Sequence, residues 1–171
     1  KEDAWVRLAR LSLETYVRTG RELETLPENL PGELTGQAAG AFVSLHVGGR
    51  LRGCIGTIAP TAENLAWEIV HNAVSAGTRD PRFPPVRAGE LDELEYSVDV
   101  LGRSEAVNSP DQLDPRQYGV IVSCGQRRGL LLPDLDGVDT VEQQIDIARQ
   151  KGGIRPEDPY TIQRFKVVRH L

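Results

Sequence analysis

Methionine is absent from the 171 residues, cysteine occurs twice and histidine three times. With no methionine anywhere, Lys1 is read as lying downstream of the translated start, so no leader can be inspected for a targeting signal. Two thiols cannot build a disulfide framework, and Cys54 and Cys124 stand 70 positions apart with no paired CxxC pattern. We therefore expect reduced thiols in a cytoplasmic protein, with a Cys54–Cys124 disulfide as the alternative. His46, His71 and His170 fit no HExxH or close carboxylate spacing, so no metal and no cofactor is expected. No run approaches the roughly 18 apolar residues of a membrane helix, which excludes a spanning segment of that kind. Basic residues are outnumbered 20 to 25, for a net charge of -5. The missing basic surplus disfavours general nucleic-acid binding.

What is present is ordinary for one globular domain over residues 1–171: 39% hydrophobic and 26% charged residues, with only 5% aromatic. Trp5, Leu8, Ala9, Ser12 and Tyr16 recur at helical spacing up to Gly20, which predicts an amphipathic helix with a glycine stop. Five prolines and glycines between residues 26 and 40 predict a loop. Ala41 to Val47 and Arg50 to Ile58 read as two strands joined by Gly48-Gly49, followed by a helix from about Thr61 to Ala76. The proline-rich segment from Thr78 to Pro85 should be extended and able to hold charges in fixed places. Strands are predicted over Leu94 to Val100, Tyr118 to Cys124 and Gly129 to Leu132, then a helix from Thr140 to Lys151 and a closing strand from Tyr160 to Val168.

Two of these stretches echo each other. Val43 to Gly56, with Arg52-Gly53 and a following helix, parallels Ile121 to Leu132, with Arg128-Gly129 and a following helix. Two hairpin-plus-helix units sharing one sheet are the expectation, and the fold class is α+β with a mainly antiparallel sheet flanked by helices.

Leu51-Arg52-Gly53-Cys54-Ile55-Gly56-Thr57 resembles the signature of the AMMECR family, the A component of the AmmeMemoRadiSam system. The resemblance extends through Gly40-Ala41-Phe42-Val43, Asp80-Pro81-Arg82-Phe83, Glu90-Leu91 with Leu94, Gly129 to Pro133 and Lys151-Gly152-Gly153, which is most of the chain. Family members often carry an aromatic where this chain has Ile58 and an alanine where it has Gly152. The resemblance implies a larger and a smaller lobe, with the signature lining a cleft between them. It implies no known reaction. It also implies two partners, a Memo-like protein and a radical S-adenosylmethionine protein.

The residues themselves permit several chemistries. With Gly48 and Gly49 as the turn, Leu45 should face Arg52 and Val43 should face Cys54, placing Arg52 and Cys54 on one face and His46 on the other. A bulge at Gly53 or Gly56 would change that register. On the unbulged strand Arg52 lies about 6.6 Å from Cys54, where its charge would favour a thiolate by roughly 2 to 3 kcal/mol at most. Cys54 is thus a structural thiol, a ligand-lining residue, or a nucleophile activated by Arg52. Gly53 and Gly56 would let a ligand or another backbone come close. Asp80 either pins its loop through an ion pair with Arg79 or Arg82, or orients Arg82 and Arg52 toward an anion, with Phe83 as a wall. The glycines form neither a Walker loop nor a dinucleotide fingerprint. The first expectation is a binding or accessory subunit whose cleft, lined by Arg52, Gly53, Cys54, Gly56, Asp80, Arg82 and Phe83, takes a small anionic ligand or a partner's modified residue. The alternative is a thiol-dependent enzyme with Cys54 as its catalytic residue.

Overall fold

The computed structural model describes residues 1–171. In chain order it contains helices α1 (Ala4–Thr19) and α2 (Gly32–Thr35), strands β1 (Ala41–Val47) and β2 (Arg50–Gly56), and helix α3 (Leu65–Thr78). Strands β3 (Glu95–Leu101), β4 (Glu105–Val107), β5 (Gly119–Cys124) and β6 (Arg127–Leu131) follow, then helix α4 (Val141–Lys151) and strands β7 (Thr161–Phe165) and β8 (Val167–His170). The class is α+β, built on antiparallel hairpins. The strands form two four-stranded sheets, ordered β2-β1-β3-β8 and β4-β7-β5-β6, and not the single sheet expected. The expected closing strand is really two: the chain breaks at Lys166, so that β7 joins the second sheet and β8 the first. Alternation along that stretch carries no trace of the change of sheet. Two compact units result, Lys1–Leu101 with Val168–Leu171, and Gly102–Val167.

In the first unit α1 begins at Asp3, whose carboxylate accepts the Val6 N–H at 3.1 Å. It ends at Gly20, whose φ of 76° lets its N–H reach the Tyr16 carbonyl. Leu8, Ala9 and Ser12 are buried as expected, joined by Val6 and Leu13, while Trp5 and Tyr16 are half-buried and Trp5 stacks on His170 at 4.3 Å. The Ser12 hydroxyl donates to the Val70 carbonyl of α3 at 2.7 Å. Helix α3 is apolar on nearly every side, burying Leu65, Ala66, Ile69, Val70, Ala73, Val74 and Ala76. It packs against α1 and against β1 and β2.

Helix α3 starts at Leu65 rather than at Thr61, and Glu68 is the reason. That buried carboxylate accepts the Thr61 and Ala62 N–H groups at 2.8 and 2.9 Å, and the Thr57 and Thr61 hydroxyls at 2.6 and 2.7 Å. Burial pushes its pKa up, but these bonds outweigh it and hold the group below its usual range. With those donors satisfied from the side, the first turn is capped instead by Asn64, which accepts the Trp67 N–H at 2.9 Å.

The internal echo survives as a packing rule within each unit. A Cβ on Gly53 of β2 would collide with the Ala76 carbonyl oxygen of α3. A Cβ on Gly129 of β6 would collide with the Ala148 carbonyl oxygen of α4. Both strands are sheet edges, and in each unit a helix backbone lies directly on the glycine of the edge strand.

Candidate functional site

Register decides which side chains of the signature meet. Val47 pairs with Arg50 and His46 with Leu51, as expected, but Leu45 then pairs with Gly53 and Ser44 with Cys54. Arg52 is the extra residue of a β-bulge. The bulge reverses the expected facing. Cys54 now stands opposite Ser44, on the face that also carries Phe42 and His46, while Gly53 faces inward with Leu45. His46 therefore shares a sheet face with Cys54, although the thiol's hydrogen-bond partner is Ser44, whose Oγ lies 3.2 Å from Sγ. Gly56 lies beneath the Phe42 ring, which a Cβ would strike. The two signature glycines thus admit a helix backbone and an aromatic ring.

The loop after α3 closes over the outer edge of β2. Its Val86 N–H bonds to the Gly77 carbonyl at 2.8 Å, so the segment between is a pinned excursion. Within it, Asp80 has a side chain only 2% exposed and four donors. These are the Cys54 N–H at 3.0 Å, the Arg82 N–H at 3.0 Å, and Arg82 Nε and Nη2 at 3.0 and 2.8 Å. The Arg82 guanidinium, foremost, holds the Asp80 carboxyl well below the usual carboxylate range. Arg82 Nη2 also reaches the Cys54 carbonyl at 3.4 Å. Asp80 and Arg82 therefore occupy both outward backbone groups of Cys54, as a neighbouring strand would.

Arg82 is nonetheless 57% exposed, with its guanidinium carbon 5.4 Å from the centre of the Phe83 ring. Its Nη1 has no protein partner. A rigid, solvent-facing donor beside a half-buried thiol is the result. Burial pushes that thiol up from its ordinary value; the Ser44 hydroxyl and the Arg82 charge pull it down by less, and Asp99 adds to the rise. The expected activation of Cys54 by Arg52 is not found. The bulge withdraws Arg52, and the cation that acts on the thiol is Arg82.

Arg52 instead forms a fork with Glu90, Nε to Oε1 at 2.9 Å and Nη2 to Oε2 at 3.2 Å. Glu90 also accepts the Arg87 N–H at 2.8 Å, tying β2 to the short helical turn at Ala88–Glu93. Arg52 holds Glu90 below its usual range. The Arg52 side chain is 14% exposed, and its Nη1 is buried without a partner. The candidate residues therefore fall into two groups: Cys54, Asp80, Arg82 and Phe83 in one, Arg52 with Glu90 in the other.

The AMMECR1 family profile matches residues 6–170. The chain belongs to the AMMECR1 family. An uncharacterised protein of Thermotoga maritima is 53% identical over 172 residues, spanning 99% of this chain and 98% of that protein. Protein CA_C1420 of Clostridium acetobutylicum is 48% identical over 99% of this chain, which spans only 36% of that longer protein. The crystal structure of the uncharacterised protein PH0010 from Pyrococcus horikoshii superposes with a TM-score of 0.90 at 32% identity, over 99% of this chain and 91% of that one. The chain thus shares its α+β fold, with two four-stranded sheets and flanking helices, with PH0010.

Ser44, Glu68 and Glu90 were not singled out as site residues from sequence. Ser44 reads as one alternating position of a strand, and only the bulge sets it opposite Cys54. Glu68 lies on α3, where its role as a cap for the loop after β2 depends on the path of that loop. The arrangement brings no three His, Cys, Asp or Glu side chains into a metal-holding group, and no helix is long and apolar enough to cross a membrane.

Proposed function

We propose that the protein is a binding or accessory subunit, and that the surface around Cys54, Asp80, Arg82 and Phe83 receives a small anion or an anionic modified residue of a partner. The observation that carries this reading is Arg82: a guanidinium fixed by a buried carboxylate, yet largely exposed, with Nη1 uncommitted. Charge supports it. Arg82 is the arginine whose guanidinium reaches Cys54, and its charge acts on the thiol, in a chain whose net charge is -5. Fixing the fork in advance removes the rotamer cost that an exposed arginine otherwise pays on binding.

The neutral thiol fits a lining role better than a nucleophilic one, since a thiol raised above its ordinary value is mostly protonated at neutral pH. A thiol-dependent enzyme is the second reading, favoured by the Ser44 hydroxyl and the Arg82 charge acting on Cys54. By family resemblance the partners are a Memo-like protein and a radical S-adenosylmethionine protein, in the cytoplasm. The clostridial relative, in which this chain corresponds to one part of a longer protein, is consistent with work beside other domains.

Titration of 15N-labelled protein with inorganic phosphate tests the reading. Saturable amide shifts at Cys54, Arg82 and Phe83, lost in Arg82→Ala, are expected; shifts that persist in that variant, or none at all, contradict it.

A further inference from the structure

A second feature lies where the two ends of the same pinned loop meet. In the first unit, the C-terminal ends of α1 and α3 and the segment Pro85–Ala88 enclose an open groove of about 530 Å³. Its floor and walls are Val17, Val86, Pro85, Ala88 and the Tyr16 ring, and its polar lining is Thr78, Arg79 and Arg87. The Thr78 hydroxyl is spent on the Val74 carbonyl at 2.6 Å. Both arginines are exposed, and neither side chain forms an ion pair within 4 Å or a hydrogen bond. Some exposed arginines of this chain are matched to carboxylates, as Arg116 is to Asp134 and Asp139, and Arg155 to Glu157, while Arg21, Arg50, Arg103 and Arg128 likewise have no carboxylate within 4 Å; what sets Arg79 and Arg87 apart is that both line one groove.

Arg79 has a partial local role, since it follows the last turn of α3, where a cation complements the helix dipole. Arg87 donates its backbone N–H to Glu90 and its charge also favours that carboxylate, but its guanidinium makes no ion pair within 4 Å. The groove is in the size range of ligand sites, yet it is open to solvent, and the charged residues that line it, Arg79 and Arg87, are both cations. That combination matches an extended chain better than an enclosed small molecule: an apolar side chain seated on Val17 and Val86, with carboxylates on either side meeting Arg79 and Arg87.

We propose that this groove docks a short acidic segment of a partner protein, one apolar residue flanked by Asp or Glu. The interaction is separate from the Arg82 site and does not depend on the anion reading above. The test is selection of a phage-displayed library of eight-residue peptides on the intact protein, with counter-selection on the Arg79→Glu/Arg87→Glu double variant. Enrichment of acidic sequences around an apolar residue is expected. The best peptide, labelled with fluorescein, should lose about tenfold in affinity with Arg79→Ala/Arg87→Ala, the effect of two exposed ion pairs. It should bind Arg82→Ala unchanged, and an unaltered melting temperature of each variant shows that the fold is intact. Absence of acidic enrichment overturns the proposal. So does binding that is indifferent to the Arg79 and Arg87 substitutions, or displacement of the peptide by citrate at equal affinity, which would make the groove a small-anion site.

Discussion

Asp80 is the residue on which the site turns, because one buried carboxylate satisfies the edge-strand N–H of Cys54 and the fork of Arg82 together. Its folded-state pKa is depressed, so its contribution is fully present above the unfolded value of about 3.9 and is lost as pH falls through the folded one. Asp80→Asn should therefore cost about 2 kcal/mol at pH 7, the scale of hydrogen bonds to a charged group. The difference from wild type should shrink as pH is lowered below about 4. Urea unfolding at stepped pH measures this, and a pH-independent difference would remove the charge from the explanation. Asp80 and Arg82 were visible in the sequence as a fixed-charge segment. Their attachment to Cys54 was not, since a backbone N–H on a distant strand leaves no mark on composition or spacing.

At the scale of elements, the β2 edge carries the site because α3 lies on it. Gly53 is a glycine for the helix as much as for any ligand. Gly53→Ala should therefore destabilise the protein by about 3 kcal/mol or more, as overpacking against backbone does. Its melting temperature should fall by roughly 6 to 12 °C. A fall of less than 2 °C would mean that the helix can shift away at little cost. Hairpins, helix stops and the repeated glycine-helix unit were legible because each rests on local signals: paired turn glycines, Gly20, and matching Arg-Gly pairs. The bulge at Arg52 was not. Pairing Val47 with Arg50 is correct for the turn, and only the demand of Leu45 and Gly53 to face the core together forces the extra residue out.

For the whole molecule, the two sheets show where sequence reading stops. Two antiparallel sheets and one mixed set of hairpins use the same alternation, and the jump from β7 to β8 at Lys166 is a tertiary event. Each unit has its own aliphatic core, centred on Val43, Leu45, Ile69 and Val98 in the first and on Val120, Val122, Leu131 and Ala148 in the second. Charge acts at this scale too. With 25 acidic against 20 basic side chains, the five arginines of residues 50–56 and 79–90 are a local excess in sequence within an acidic chain. A 20-base-pair DNA duplex should show no binding tighter than about 0.1 mM at 150 mM salt, where non-specific binders typically hold duplex at 10⁻⁴ to 10⁻⁶ M. Micromolar binding in an anisotropy titration would assign the arginines to phosphate backbones instead.

The most direct measurement of the central claim, a neutral thiol lining an arginine site, is the pH dependence of Cys54 alkylation in the folded Cys124→Ser protein. The account predicts a thiol pKa above the ordinary value of about 8.5, rising further in Arg82→Ala and falling in Asp99→Asn, because Arg82 lowers it and Asp99 raises it. A pKa well below that value, with rapid labelling at neutral pH, would contradict the account and make Cys54 a nucleophile.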